Sequence, residues 1–145
     1  MEGDIFEIII PEIDYYLIER VRELRIRHKP YLSMLQLAQQ LGLPDSSISK
    51  AENMRDRFRY NTRTLNRLAV FFSIKSYSEL FPKTIIKNDL VKMRLQKVAS
   101  KKGKQSVNPD GTVDKAYKVI SIIPLTEEET ILWQANKLSY LTIIK

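Results

Sequence analysis

Apolar positions recur every three or four residues from Tyr16 to Phe72, and every second residue from Val91 to Leu95, so helical character gives way to strand character along the chain. Tyr16, Leu17, Val21, Leu24 and Ile26 make the apolar face of a first helix, with Asp14 as its start and Pro30 as its stop. Ser33 reads as the N-cap of a short second helix. Leu37, Ala38 and Leu41 point inward there and Gly42 closes it. A third helix runs from Asp45 to about Asn53 with Ile48 and Ala51 inward, and Asn53 closes it in the left-handed conformation that Asn tolerates. Residues 54–61 break the period and read as a basic loop. Thr62 opens a fourth helix with the stripe Leu65, Leu68, Ala69 and Phe72, and Tyr77, Leu80 and Phe81 suit a final short helix ended by Pro82.

Beyond Pro82, Val91, Met93 and Leu95 alternate with Lys92, Arg94 and Gln96, as in a half-buried strand. Val91, Leu95 and Val98 also fit a helical period, so a helix over 89–99 competes; the alternation favours the strand. The β-branched stretch 116–123 suits a partner strand, across a loop with the turn signal Asn108-Pro109-Asp110-Gly111. Thr126 followed by Glu127, Glu128 and Glu129 marks a helix start, with acids against the positive end of the dipole. That helix carries Ile131, Leu132 and Trp133, and Leu141–Ile144 suits a last strand. The expected fold is mainly α: a bundle of four to five helices over 14–82, then a small α+β extension over 83–145 built from a hairpin and a short helix. Residues 1–13 form a lead with strand potential.

Composition narrows the chemistry. There is no cysteine, a single histidine (His28) and only four glycines, none in a phosphate-cradling spacing. No catalytic pair, metal set or cofactor site is expected, and the chain reads as no enzyme. The longest apolar run, Leu68–Phe72, is far short of the roughly 20 residues that span a bilayer, and no export signal opens the chain, so a cytoplasmic protein is expected. The formal charge of +7 is uneven: −4 over 1–13, +5 over 14–82, +7 over 83–125 and −1 over 126–145. Two basic blocks point to a polyanionic partner, because clustered Lys and Arg release counterions from a phosphate backbone.

Two short helices joined by a tight turn inside a helical cluster form a helix-turn-helix. The run Leu32-Ser33-x-x-x-Leu37-Ala38-x-x-Leu41-Gly42-Leu43, then Ser46-x-Ile48-Ser49-Lys50-x-Glu52-Asn53, resembles the Cro and phage-repressor (lambda-repressor-like) helix-turn-helix family. Val21-Arg22-x-Leu24-Arg25 upstream, and Leu65-x-x-Leu68-Ala69 with Glu79-Leu80-Phe81 downstream, extend the likeness over residues 16–82. The resemblance implies double-stranded DNA as partner and a transcriptional regulator. Residues 83–145 lie outside the likeness and are expected to serve dimerisation or effector sensing. A homodimer is expected because about 60 residues of basic strand with an apolar face and a Trp-bearing helix bury little alone. The resemblance implies base contacts from the outward face of helix 45–53, where Asp45, Ser46, Ser49 and Lys50 stand; Asp45 has an N-cap as its rival role. Backbone contacts are expected from Ser33 and Asn53, and from Arg55, Arg57 and Arg59, which an extended loop would aim in one direction. The resemblance also implies an ion pair between Arg25 on the first helix and Glu52 on the recognition helix.

Met34, Pro44 and Met54 depart from the family pattern and support the alternative, a protein-interaction module such as an antitoxin or adaptor on the same scaffold. The remaining candidates are weaker. His28 reads as a surface residue at a helix end, Glu127–Glu129 as a helix first turn, Lys101-Lys102-Gly103-Lys104 as a solvated basic loop, and Trp133 as a core or interface anchor.

Overall fold

The computed structural model describes residues 3–98 and 106–144. In chain order the elements are β1 (Ile5–Pro11), α1 (Glu12–Arg27), α2 (Met34–Gln40), α3 (Ser47–Glu52), α4 (Thr62–Phe71), a 3-10 turn (Tyr77–Glu79), β2 (Leu90–Lys97), β3 (Tyr117–Pro124), α5 (Glu127–Gln134) and β4 (Leu141–Ile143). They divide into two units, one of Met1–Ile13, Ile86–Lys102 and Lys115–Lys145, the other of Asp14–Ile85 and Gly103–Asp114. Lys101, Lys102, Gly103 and Lys104 lie outside the described residues.

The fold is α+β, which overturns the mainly helical expectation. A four-stranded antiparallel sheet in the order β3-β2-β1-β4 forms the first unit. The reason is the N-terminal segment: its strand potential is realised as an inner strand, paired with β2 on one side and β4 on the other. Phe6, Ile8 and Ile10 stand opposite Leu95, Met93 and Val91. Directly opposed residues share a face, and all six side chains are fully buried. Ile9, on the other face, is buried too, so Ile8–Ile10 is a continuous buried run that breaks the alternation. On that second face Arg94 bonds Glu7 at 3.0 Å and Lys92 bonds Glu129 of α5 at 2.5 Å. The Lys92 ammonium, with the Thr126 amide, holds the Glu129 carboxyl below the usual carboxylate range. Thr126 caps α5 through a full capping box with Glu129. α5 buries no side chain completely, and Trp133 is half-buried.

The second unit is helical. α1 starts at Glu12, ahead of the expected Asp14, and its buried stripe is Leu17, Ile18, Val21, Arg22, Arg25 and Ile26. Leu24 is only half-buried and Tyr16 is exposed, because two arginines occupy inward positions. The Arg22 guanidinium reaches the Asp114 carbonyl at 2.7 Å, and Arg27 reaches the Gly111 carbonyl at 2.6 Å. The turn at Asn108–Gly111, closed by a bridge between Val107 and Val113, is thereby held against α1. It therefore belongs to the helical unit, not to the C-terminal extension. His28 is not a bare surface residue: its ring stacks on Phe71 at 5.5 Å, and Nδ1 lies 3.0 Å from the Pro30 carbonyl oxygen. Phe72 is the C-cap of α4 and only half-buried, outside the stripe of Leu65, Leu68 and Ala69.

Candidate nucleic-acid interface

The two short helices are set by their caps. The Ser33 hydroxyl accepts the Gln36 amide at 3.0 Å while the Gln36 side chain accepts the Ser33 amide at 2.8 Å, a complete capping box at the start of α2. At its end the Leu43 amide donates to the Ala38 carbonyl and the Gly42 amide to Gln39, a Schellman closure. Gly42 has φ +67, so this turn into α3 calls for a residue without a Cβ. The third helix is shorter than expected. Pro44 accepts the Ser47 amide, Ser46 is the N-cap without a side-chain bond, and Asp45 sits in the turn ahead of it. Asp45 therefore caps no helix among the described residues.

Inside, Ile48 and Ala51 are fully buried, and the pair that sets the pitch of α3 is buried beside them. Arg25 Nε and Nη2 donate to the two Glu52 carboxylate oxygens at 2.9 and 2.8 Å, and Nη1 donates to the Leu32 carbonyl at 3.0 Å. One guanidinium thus ties α1 to α3 and to the chain entering α2. Burial alone pulls the Arg25 pKa down, but the hydrogen bonds and charge of Glu52, helped by Tyr31, outweigh it and the net direction is up.

Outside, Asp45, Ser46, Ser49, Lys50 and Asn53 are all exposed. Ser49 Oγ donates to the Ser46 carbonyl at 3.0 Å, and no hydrogen bond or ion pair holds the Lys50 ammonium among the described residues. Asn53 is extended (φ −88, ψ 104), not left-handed. Its side chain instead accepts the Arg55 amide at 3.1 Å, which starts the loop as an Asx turn. Met54 is fully buried, so that departure from the family pattern is a core residue and not a docking surface.

The loop is not the extended ribbon expected from its alternation. Residues 54–56 form a turn, and Asp56 Oδ1 accepts the Phe58 amide at 2.9 Å. Arg59 is half-buried and its Nη1 donates to the Asp56 and Phe58 carbonyls at 2.9 and 2.8 Å. Arg55 and Arg57 are exposed, while Arg59 shapes the loop. Burial raises the Asp14 pKa, and the charge of Arg59 opposes that rise.

Two further cations join the surface. Arg63 is exposed and Arg67 half-buried on the outward side of α4, and the Arg67 guanidinium lies beside Gly42, 3.4 Å from where a Cβ would stand. Their i, i+4 spacing opposite the Leu65–Leu68 stripe is visible in the sequence.

Tyr60 closes the loop against the ion pair. It is 8% exposed and its hydroxyl has no hydrogen-bond partner among the described residues. Burial first, then the Glu52 charge, pushes its pKa far up, with Arg25 pulling the other way. Tyr60→Phe keeps the ring, including its edge-to-face contact with Phe58, and removes the unpaired group. The variant should be more stable by about 1 kcal/mol, read as a higher denaturant midpoint with unchanged slope. A lower midpoint would show that the hydroxyl is bonded.

Among the described residues no group of three His, Asp or Glu gathers as a metal site requires, and no helix is long and apolar enough to cross a membrane. Comparison of the chain with family models, curated proteins and solved structures finds no match.

Proposed function

We propose that this chain is a cytoplasmic transcriptional regulator that binds double-stranded DNA sequence-specifically, reading the major groove with α3 and the turn before it. The observation that carries the reading is the contrast between the two sides of α3. Ile48, Ala51 and the Arg25-bound Glu52 anchor it, while Asp45, Ser46, Ser49 and Lys50 stand exposed with no core role. Those four are the groups that meet base edges: an ammonium suits guanine O6 and N7, and a carboxylate suits cytosine N4. Ser33 and Asn53, with Arg55, Arg57, Arg63 and Arg67, supply phosphate contacts on either side.

Selection of sites from random duplexes should return a defined sequence. On that sequence Lys50→Ala should lose roughly 1–3 kcal/mol and relax the preference at one base pair. Equal affinity of parent and variant would remove Lys50 from the readout. Arg57→Ala should weaken all duplexes alike and make the slope of log affinity on log salt shallower by about one unit. Arg59→Ala should instead act through the loop's shape, because its guanidinium bonds the loop's own carbonyls.

One feature favours the second reading, a protein-interaction module of antitoxin or adaptor type. α2 carries no charge, and its outer side exposes Met34 (37%) and Leu35 (47%) beside three glutamines. Duplex binding with no salt dependence at all would favour that reading over DNA recognition.

A further inference from the structure

We infer that β3 is the surface on which two copies of this chain pair, edge to edge and antiparallel, joining their sheets into one. β3 is an edge of the sheet, and among the described residues no strand lies beyond it. Its Val119, Ile120, Ile122 and Ile123 are 39, 42, 40 and 54% exposed, although Val119 and Ile122 stand opposite the fully buried Leu95 and Met93. Beyond the buried Tyr117, the inner face of the sheet is therefore left open along β3.

Edge strands are ordinarily blunted by shortness, charge or proline. The other edge, β4, is three residues long. β3 runs for eight, with Lys118 its single charge and Pro124 its last residue. The bulge at Arg94/Leu95 adds twist but leaves Val119 and Ile122 on one face.

The occupant is a second copy because the strand is complementary to itself. A two-fold axis between Ile120 and Ser121 sets Val119 opposite Ile122, Lys118 opposite Ile123, and Tyr117 opposite Pro124. β-branched side chains then meet each other on the shared face, a favourable cross-strand pairing. The two lysines are separated by five residues of strand, roughly 17 Å, so their like charges do not meet. Pro124, which has no N–H to donate, falls at the ends of the ladder where none is needed.

The chain has no cysteine, so one introduced thiol reports on one position. The full chain should sediment at twice its 17.0 kDa. Under mild oxidation Ser121→Cys, next to the axis, should cross-link nearly completely. Lys118→Cys should not, since its Cα separation far exceeds the roughly 7 Å a disulfide bridges. Ile122→Lys, at an exposed position, should keep its circular dichroism spectrum and sediment at 17.0 kDa. A monomeric parent at every concentration overturns the inference, as does a dimer that survives Ile122→Lys. Cross-linking of Lys118→Cys as readily as Ser121→Cys overturns it also. No DNA enters the measurement, so its outcome is independent of the proposed DNA binding.

Discussion

Glu52→Leu should destabilise the helical unit by about 3–5 kcal/mol, the largest effect expected of any exchange in α2 or α3. The substitution strands the Arg25 guanidinium, 1% exposed, without its carboxylate, leaving it the Leu32 carbonyl and Tyr31. Arg25→Met should cost a similar amount, because it leaves the Glu52 carboxylate buried and removes the donor to Leu32 as well. The double variant removes both charges. Its stability should recover most of the loss, since two apolar side chains of similar length fill the space without a desolvated ion. Recovery should stop short of the parent, as the Leu32 carbonyl keeps no donor. Denaturant unfolding of the four proteins, followed by helical circular dichroism, measures the coupling, expected at several kcal/mol. Additive changes of under about 1 kcal/mol would mean that the pair is solvated, as exposed pairs are. The planar bidentate contact also sets the angle at which α3 leaves the core, and Leu and Met cannot reproduce it. Duplex affinity should therefore recover less than stability does in the double variant, which separates aim from folding.

What the sequence discloses is local, and what it conceals is long-range. Ser33 three residues before Gln36, and Gly42 after an apolar stripe, are cap signals whose physics is complete within a few residues, so α2 is legible at both ends. The position of β1 is not local. Phe6, Ile8 and Ile10 announce a strand, but nothing in residues 1–13 says that partners from residues 90–96 and 141–143 flank it on both sides. That long-range pairing is what makes the fold α+β and not mainly helical. Arg22 and Arg25 mislead differently, since charged side chains on a helix default to the outside. Their burial depends on a carbonyl and a carboxylate far along the chain. The loop after α3 reads as extended because arginines and aromatics alternate in it, yet Asn53 and Asp56 bend it through side-chain bonds to nearby amides. Those Asx signals were in plain view and carried more weight than the alternation. That Arg25 and Glu52 meet at all enters through the likeness to a known motif, not through composition or spacing.

The strand the sequence underrates is also where the sheet is most sensitive. Phe6→Ala should cost the sheet unit about 3–5 kcal/mol, the range for truncating a fully buried aromatic. Phe6 is 0% exposed and is flanked by Leu95 of β2 and Ile143 of β4. Its ring meets Tyr117 edge-on, with centroids 5.8 Å apart and planes at 82°. Because β1 is hydrogen-bonded on both sides, the backbone cannot close over the void, and the cavity persists. Ile143→Ala is the matching control on the short edge strand, where the side chain is 51% exposed; it should cost less than about 1 kcal/mol. Trp133 is the chain's single tryptophan and belongs to α5 of the same unit, so its fluorescence reports on the unit that holds the sheet. If β1 were the loosely attached lead that its sequence position suggests, Phe6→Ala would leave the tryptophan transition where it is. A shift larger for Phe6→Ala than for Ile143→Ala by several kcal/mol is what an inner strand requires.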